Sequence, residues 1–310
     1  MAGSRWLSSA WLGSGVLRCD DTTVSRIVRV EFRIARSGGT VPGMARNVYT
    51  HGHHESVLRS HRWRTAENSA GYLLPSLTDG MSLLDVGCGP GTITMDLAER
   101  VGSGRVTALE HTDAALDLAR AEARRRGTGN VDFVVDDVHR LGFDDDTFDV
   151  VHAHQVLQHV ADPVQALREM RRVCRPGGIV AARDADYAGF SWYPQLPELD
   201  EWLSLYRSAA RANGGEPDAG RRLLAWARAA GFRDVTPSAS VWCHATPADR
   251  QHWGGMWAER IVASDLASQL VRSGAASRDD LDRISAAWRA WADDEDAWLV
   301  LVHGEILCRA

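Results

Sequence analysis

The strongest constraint on the fold is an alternation of short apolar runs with segments of helical periodicity, which extends from about residue 83 to residue 183. Apolar runs of about four to eight residues predict buried strands, and apolar residues three and four apart predict amphipathic helices. Strands joined by helices form βαβ units, so these strands are expected to lie parallel in a sheet covered on both faces. The predicted strands are 83–86, 105–109, 131–135, 148–153 and 179–183.

Helices are predicted between these strands, and their ends carry recognisable signals. Thr112 and Gly127 are an N-cap and a C-terminal glycine for one helix, and Asp162 with Pro163 begins another. A further helix is expected before the first strand, where it would lie over the site as a lid. The predicted helical ranges are 56–74, 91–101, 113–126 and 162–174.

The pattern changes after the fifth strand. Helical segments are predicted at 196–213, 219–230 and through most of 247–294, with a sixth strand inside 231–244 and a last strand at 297–309. We therefore expect an α/β fold: a Rossmann-like, doubly wound, seven-stranded, mostly parallel sheet with helical insertions after strands five and six that form a cap. Nine of the twelve Trp residues follow residue 190, which fits either an aromatic-walled cap or bulky helix packing.

The chain is expected to divide into three regions. The first carries six Arg against three acids and is expected to be a disordered or non-native extension, with Met44 as the functional start. The second is a cofactor-binding core that includes the lid helix, and the third completes the sheet and adds a substrate cap at about 191–230 and 247–295. The boundaries are 1–43, 44–190 and 191–310.

Composition excludes several classes of function. All 35 basic residues are Arg, so a phosphate-loop Lys, a Schiff-base Lys and a Lys general base are excluded. The net charge of −6 argues against a nucleic-acid partner. No apolar run reaches the ~18 residues of a membrane span, and five scattered Cys residues favour a reducing, cytoplasmic location.

The most informative motif joins the first strand to the next helix: Leu83-Leu84-Asp85-Val86-Gly87-Cys88-Gly89-Pro90-Gly91-Thr92. Glycines let a ligand approach the backbone, and the helix N-terminus offers unpaired N–H groups. The third glycine comes one residue earlier than in a dinucleotide fingerprint. A carboxylate at Asp85 would repel a pyrophosphate but suits an ammonium group.

Polar residues also follow the next three strands. Glu110 and His111 end the second strand, Asp136-Asp137-Val138 follows the third, and His154 ends the fourth. Ligands of such sheets bind at the carboxyl ends of the strands, where these segments meet.

The chain resembles the class I S-adenosylmethionine-dependent methyltransferases, in particular the quinone-biosynthesis (ubiquinone/menaquinone) methyltransferase-like branch. The resemblance runs from about residue 50 to residue 185. The motifs that carry the resemblance occur in the same order as in the family. Asp136 is a departure, because the family more often has a small residue at that position. They are Asp85-Val86-Gly87-Cys88-Gly89-Pro90-Gly91, Glu110, Asp137-Val138, Phe148-Asp149-Val150-Val151 and Arg171-Arg172-Val173-Cys174-Arg175-Pro176-Gly177-Gly178.

The resemblance implies S-adenosyl-L-methionine as the cofactor and assigns residues to it. Gly87, Gly89 and Gly91 would line the methionine portion, with Thr92 beside them. Glu110 would bind the ribose hydroxyls, with His111 next to it, while Asp137 and the backbone of Val138 would meet the adenine. Tyr49 and Arg64, in the lid, could reach the methionine carboxylate or the acceptor.

Candidate catalytic groups are His154, Asp184 and Tyr187, which follow the fourth and fifth strands. His154 is the first choice for a general base, and a structural role for it is equally open. By the resemblance, the end of the fourth strand faces both sulfonium and acceptor, so His154 is also expected to contact the cofactor. His51-Gly52-His53-His54 has no third ligand at metal-site spacing, so no metal is expected.

The sequence thus predicts a cytoplasmic methyltransferase that is a monomer or homodimer. Its acceptor would be an aromatic, quinone-like or thiol-bearing small molecule, with the O, S, N or C atom left open. The segment 253–260 is a candidate acceptor wall, against plain helix packing. A non-catalytic cofactor-binding regulator and a nucleic-acid methyltransferase are the rival functions.

Overall fold

The computed structural model describes residues 63–310, and one mixed sheet organises them. Its first five strands run parallel, and the last strand is antiparallel to them. The strands are β1 (Leu83–Val86), β2 (Val106–Glu110), β3 (Val131–Val135), β4 (Phe148–His154), β5 (Cys174–Ala185), β6 (Ser191–Tyr193), β7 (Val235–His244) and β8 (Trp298–Arg309).

Helices cover both faces of the sheet and fill the later insertions. They are α1 (Ala66–Ser69), α2 (Thr92–Arg100), α3 (Asp113–Arg126), α4 (Pro163–Val173), α5 (Pro197–Ala212), α6 (Leu223–Ala229), α7 (Pro247–Ala263), α8 (Asp265–Arg272) and α9 (Arg278–Asp293). The side chains of Thr112 and Asp162 cap α3 and α4, and Gly127 ends α3 in the left-handed conformation, as the sequence predicts.

The sheet has the strand order β3-β2-β1-β4-β5-β8, and both β6 and β7 also pair with β8. Chain order reverses between β1 and β4, which is the position where doubly wound sheets bind ligands. The α/β fold with helical insertions is therefore confirmed. Among the described residues the sheet has eight strands rather than seven, because the three-residue strand β6 is too short to show a period in the sequence.

Two local predictions are wrong. Over its described part, the helix expected at 56–74 is broken into α1 and a single turn at Leu74–Ser76. Thr65 and Asn68 form a reciprocal capping box that starts α1, and α1 ends at Ser69 because Ala70 leaves the helical conformation. Strand β5 begins at Cys174, through the Pro-Gly-Gly stretch that was expected to precede it.

Packing separates the core into the two faces of the sheet and a third cluster under the later helices. That third cluster joins α5, α7, α8 and α9, and its largest members are the fully buried Trp202, Trp257, Trp288 and Trp291. These rings pack against one another at centroid distances of 4.6–6.5 Å. Packing between helices therefore accounts for these four Trp residues. They include Trp257 from the predicted acceptor wall.

Candidate functional site

The pairing of β1 with β2 and with β4 brings the predicted site segments to one edge of the sheet. Val86 pairs with Leu109 on one side and with Ala153 on the other. The next residue of each strand, Gly87, Glu110 or His154, therefore lies at the same level. The sheet thus assembles the glycine loop, the acidic end of β2 and the end of β4, as the sequence predicts.

The glycine loop has a backbone that side chains would not tolerate. Gly87, Gly89 and Gly91 have φ values of +68°, +55° and +82°. A Cβ on Gly87 would lie 2.5 Å from Val156 Cγ2, and one on Gly91 would lie 2.9 Å from Ala119 Cβ. Gly91 is the N-cap of α2 and, having no side chain, makes no side-chain capping bond, so α2 begins directly at the glycine loop.

Glu110 connects the end of β2 to this loop. One carboxylate oxygen accepts a hydrogen bond from Gly89 N at 2.8 Å, and the other accepts from His111 N at 3.1 Å. Two backbone donors fix the orientation of the carboxylate, and each oxygen keeps a lone pair for a hydroxyl donor. The His111 ring is exposed beside this carboxylate.

Two adjacent aspartates in the loop after β3 make different contacts. Asp136 accepts from the backbone N–H groups of Asp137 and Gly142, at 2.8 Å and 2.7 Å, and so closes the loop. Asp137 is exposed, and its Oδ1 lies 2.7 Å from Nδ1 of His139. Val138 is buried behind it. Asp136 thus holds the loop, and the other carboxylate oxygen of Asp137 accepts no hydrogen bond from residues 63–310.

The sequence predicts that the Asp85 carboxylate is available to a ligand ammonium group, but the structure buries it. It is 3% exposed, and its two oxygens accept from Thr94 Oγ1 at 2.6 Å and from His152 Nδ1 at 2.8 Å. The carboxylate therefore holds β1, α2 and β4 together beneath the glycine loop. A ligand ammonium group would have to share oxygens that already have protein donors.

His154 is buried at the end of β4, and neither ring nitrogen has a hydrogen-bond partner among residues 63–310. Burial lowers its pKa well below 6.5, and the nearby positive charges of Arg183 and Arg64 add to this effect. The imidazole is therefore uncharged at neutral pH. It is available to hydrogen-bond a group placed next to it.

Of the lid residues, the described part contains Arg64, which lies by the end of β4. Its guanidinium donates to Gln155 Oε1 at 2.9 Å. Thr92 begins α2 and is buried beside the glycine loop. Tyr49 and the segment 51–54 lie outside the described residues.

The other two catalytic candidates are not brought to His154. Successive strand residues point to opposite faces, so Asp184 faces away from its neighbour Arg183, which pairs with His154. Its carboxylate accepts from Gln158 N at 3.0 Å, and burial raises its pKa to about 7. Tyr187 packs between two rings, at 4.4 Å from Phe190 and 4.3 Å from Tyr206, and burial raises its pKa.

Sequence reasoning missed three residues beside His154, namely Gln155, Arg183 and His303. Gln155 has a φ of +54°, unusual for a residue with a side chain, and its amide donates to His303 Nε2 at 3.0 Å. Arg183 is a charged residue in a strand that is buried on both faces. A charged residue within a predicted buried strand was the sequence signal that could have identified Arg183.

Metal-binding clusters and membrane-spanning helices are both absent from residues 63–310. Within 63–310, no group of three or more His, Cys, Asp or Glu side chains is arranged to hold a metal ion. No helix in the same range combines the length and apolar character needed to cross a bilayer.

Comparisons with known proteins identify the family to which the chain is similar. The sequence profile of the "Methyltransferase domain" family matches residues 77–260. An uncharacterized methyltransferase of Schizosaccharomyces pombe is 35% identical over 84% of this chain and 95% of its own length. A ubiquinone/menaquinone biosynthesis C-methyltransferase of Idiomarina loihiensis is 44% identical, over only 33% of this chain and 41% of its own.

A solved structure shows the same fold. The YcgJ protein of Bacillus subtilis matches with a TM-score of 0.52 at 18% identity, over 77% of this chain and 97% of that chain. The quinone-biosynthesis resemblance, by contrast, extends over a minor part of the sequence.

Proposed function

This chain belongs to the methyltransferase domain family, whose cofactor is S-adenosylmethionine, and from that premise we propose that it methylates a small molecule with an aromatic or otherwise apolar body. The observation that carries the proposal is the shared edge of β1, β2 and β4. There the glycine loop, Glu110 and the unpartnered, buried His154 lie at one level of the sheet.

The residues present fit the cofactor. The loop Gly87–Gly91 carries positive φ values at its glycines and packs closely on Val156 and Ala119, and Glu110 is oriented by two N–H groups to accept from ribose hydroxyls. We assign adenine contact to Asp137 and Val138, and we assign Asp85 to positioning the loop through Thr94 and His152. When bound, S-adenosylmethionine supplies an electrophilic methyl group on a sulfonium.

His154 is the residue we assign to the acceptor. Because its imidazole is neutral, it adds no positive charge near a cationic sulfonium and can accept a hydrogen bond from an acceptor O–H or S–H. A low pKa makes it a weak base, so its contribution is expected to be mainly orientation of the acceptor. Asp184 and Tyr187 are then left to structural roles.

The cap helices complete the proposed site. The cluster of α5, α7, α8 and α9 is apolar and densely packed, which suits exclusion of water from an apolar acceptor. Quinone-like, phenolic and thiol acceptors all satisfy this description. The partial match to the quinone-biosynthesis enzyme is no reason to prefer the first of them.

A labelled-methyl screen tests the proposal. The protein is incubated with S-adenosylmethionine carrying a labelled methyl group and a panel of phenols, quinols and thiols, and products are detected by mass spectrometry. We expect transfer to at least one class, with a lower kcat for His154→Phe and an unchanged Kd for S-adenosylhomocysteine. Binding of S-adenosylhomocysteine without transfer to any acceptor would favour a non-catalytic regulator instead.

A further inference from the structure

A buried polar cluster surrounds the indole of Trp242 on one face of the sheet, and we call it the Trp242 cluster. The guanidinium carbons of Arg183 and Arg64 lie 4.8 Å and 5.5 Å from the centre of the indole. The rings of His303 and His154 lie 4.4 Å and 5.8 Å from it. Strands β4, β5, β7 and β8 and the segment before α1 therefore contribute to one group of side chains.

The cluster holds hydrogen-bonding atoms that the described protein does not satisfy. Arg183 is 1% exposed, and among residues 63–310 only its Nε has partners, Ser240 Oγ at 3.0 Å and Glu305 Oε1 at 3.2 Å. Within the same range its two terminal nitrogens are buried without partners, as are both ring nitrogens of His154 and the hydroxyl of Tyr72. A buried donor without a partner costs about 1–3 kcal/mol. A concentration of them indicates a missing ligand or water.

The charge of the cluster indicates which ligand would fit. Arg183 and Arg64 carry two positive charges, and Glu305 is the carboxylate that contacts Arg183. Burial lowers the pKa of Arg183 to about 10, so it remains charged at neutral pH. Burial also lowers the pKa values of His154 and His303 well below 6.5, so both are neutral there. The cluster thus has an excess of one positive charge.

The geometry around Arg183 favours a planar anion. An Arg–carboxylate pair is commonly bidentate, yet Glu305 occupies only Nε and also accepts from the hydroxyls of Ser238 and Ser240. The outer fork of the guanidinium, formed by its two terminal nitrogens, is left for another acceptor. Two parallel N–H groups match the two oxygens of a carboxylate.

Strain next to the cluster supports a functional role. Gln155 adopts a φ of +54°, and its side chain links Arg64 to His303. Such backbone conformations cost about 1–3 kcal/mol and occur mostly at functional sites. Here the strain places an amide directly after His154, on the side of the cluster.

We propose that the acceptor of this enzyme carries a carboxylate, which binds the outer fork of Arg183 and so presents the acceptor atom beside His154. The inference rests on the proposed function, because it specifies the acceptor of the same site. The carboxylate is the recognition group and is separate from the atom that is methylated. Arg183 and His154 are neighbours in the register of β5 and β4, which places recognition and reaction side by side.

The test compares an acid with its amide. Wild-type protein saturated with S-adenosylhomocysteine is titrated with 3,4-dihydroxybenzoate and with 3,4-dihydroxybenzamide, and both Kd values are measured by calorimetry. We expect the acid to bind at least tenfold more tightly. Arg183→Gln should remove this preference while the Kd for S-adenosylhomocysteine stays unchanged.

Two further variants control the comparison. Arg183→Gln combined with Glu305→Gln avoids a buried unpaired carboxylate and should lose the preference equally. Arg105→Gln removes an exposed Arg that pairs with Asp132, and it should keep the preference.

The other outcomes overturn either the inference or the proposed function on which it rests. Equal binding of acid and amide by wild type would do so, with intact S-adenosylhomocysteine binding showing that the proposed function still stands. A preference that survives in both Arg183 variants would place recognition elsewhere. Tighter binding of 3,4-dihydroxyphenylphosphonate than of the acid would replace the carboxylate with a phosphate-like group. Failure to bind S-adenosylhomocysteine would instead contradict the proposed function.

Discussion

At the scale of single residues, Glu110 is the side chain on which cofactor binding is expected to depend most. It contacts Gly89 in the loop and His111 after β2, so the carboxylate is fixed before a ligand arrives. A preorganised acceptor loses little conformational entropy on binding. Asp85 and Asp136 have the complementary role, because their oxygens hold the protein's own loops.

Glu110→Ala is therefore expected to weaken binding of S-adenosylhomocysteine by about tenfold to a hundredfold, since a hydrogen bond to a charged group contributes about 1.5–3 kcal/mol. Calorimetric titration measures the change. Glu295→Ala, in an exposed position before β8, is the control and should leave the Kd unchanged. Equal Kd values for wild type and Glu110→Ala would remove Glu110 from the site.

The buried ring of His244 makes the stability of the protein depend on pH. Burial lowers the pKa of His244 to about 4, while the unfolded chain has the ordinary value of about 6.5. Between these pH values the unfolded state binds a proton that the folded state does not, so the free energy of unfolding falls as pH decreases from about 6.5 to about 4. The ring stacks on Trp253 at 4.8 Å, and Asp249 and His252 are the nearest charges that affect it.

His244→Phe keeps a ring on Trp253 and removes the titration. We expect its free energy of unfolding, relative to wild type, to be about 2 kcal/mol higher at pH 5 than at pH 8. Urea unfolding at the two pH values measures the difference. His111→Asn, which changes an exposed ring, should show no such difference, and a pH-independent effect of His244→Phe would contradict the argument.

At the scale of elements, the cap helices are held together by tryptophans. Trp288 of α9 is fully buried and contacts Trp202 of α5 edge to face, with centroids 4.9 Å apart. The same ring lies 5.6 Å from Trp291 and 6.5 Å from Trp257. These contacts make α5, α7 and α9 one packed unit.

Trp288→Ala is expected to lower the free energy of unfolding by about 3–5 kcal/mol, because it leaves a large cavity in this unit. Trp298→Ala is the matched control, since Trp298 is 41% exposed on β8, and a surface change usually costs within about 0.5 kcal/mol. Denaturant unfolding measures both variants. Similar losses for the two would show that the cap is not the packed unit described here.

Elements whose signals are local were predictable from the sequence. Helix α3 and strand β3 match their predicted bounds, because Thr112, Gly127 and a compact apolar run mark them within a few residues. The position of the glycine loop and Glu110 at one edge of the sheet was predictable for the same reason. The helix predicted at 56–74 differs because the Thr65–Asn68 capping box starts α1 and Ala70 ends it, although the apolar period continues.

The Trp242 cluster could not be predicted, since it depends on pairing between distant strands. Arg183 meets Glu305 and Ser240 only because β8 lies antiparallel between β5 and β7. Those residues are 122 and 57 positions away in sequence. No local pattern specifies such a pairing.

At the scale of the whole molecule, the sheet places the residues that we assign to the cofactor next to those that we assign to the acceptor. The carboxyl ends of β1, β2 and β3 supply the glycine loop and the acidic residues that we assign to the cofactor. Strands β4, β5 and β7, near their carboxyl ends, and the middle of β8 supply the Trp242 cluster that we assign to the acceptor. Strand β4, with His154 at its end, lies between them.

The most direct test of the central claim is a calorimetric titration of the wild-type protein with S-adenosylhomocysteine and, separately, with NAD. An edge built from a glycine loop and Glu110 for a sulfonium nucleoside should bind S-adenosylhomocysteine with a Kd on the order of micromolar, about −8 kcal/mol, and should show no heat with NAD. Binding of NAD without binding of S-adenosylhomocysteine would contradict the account.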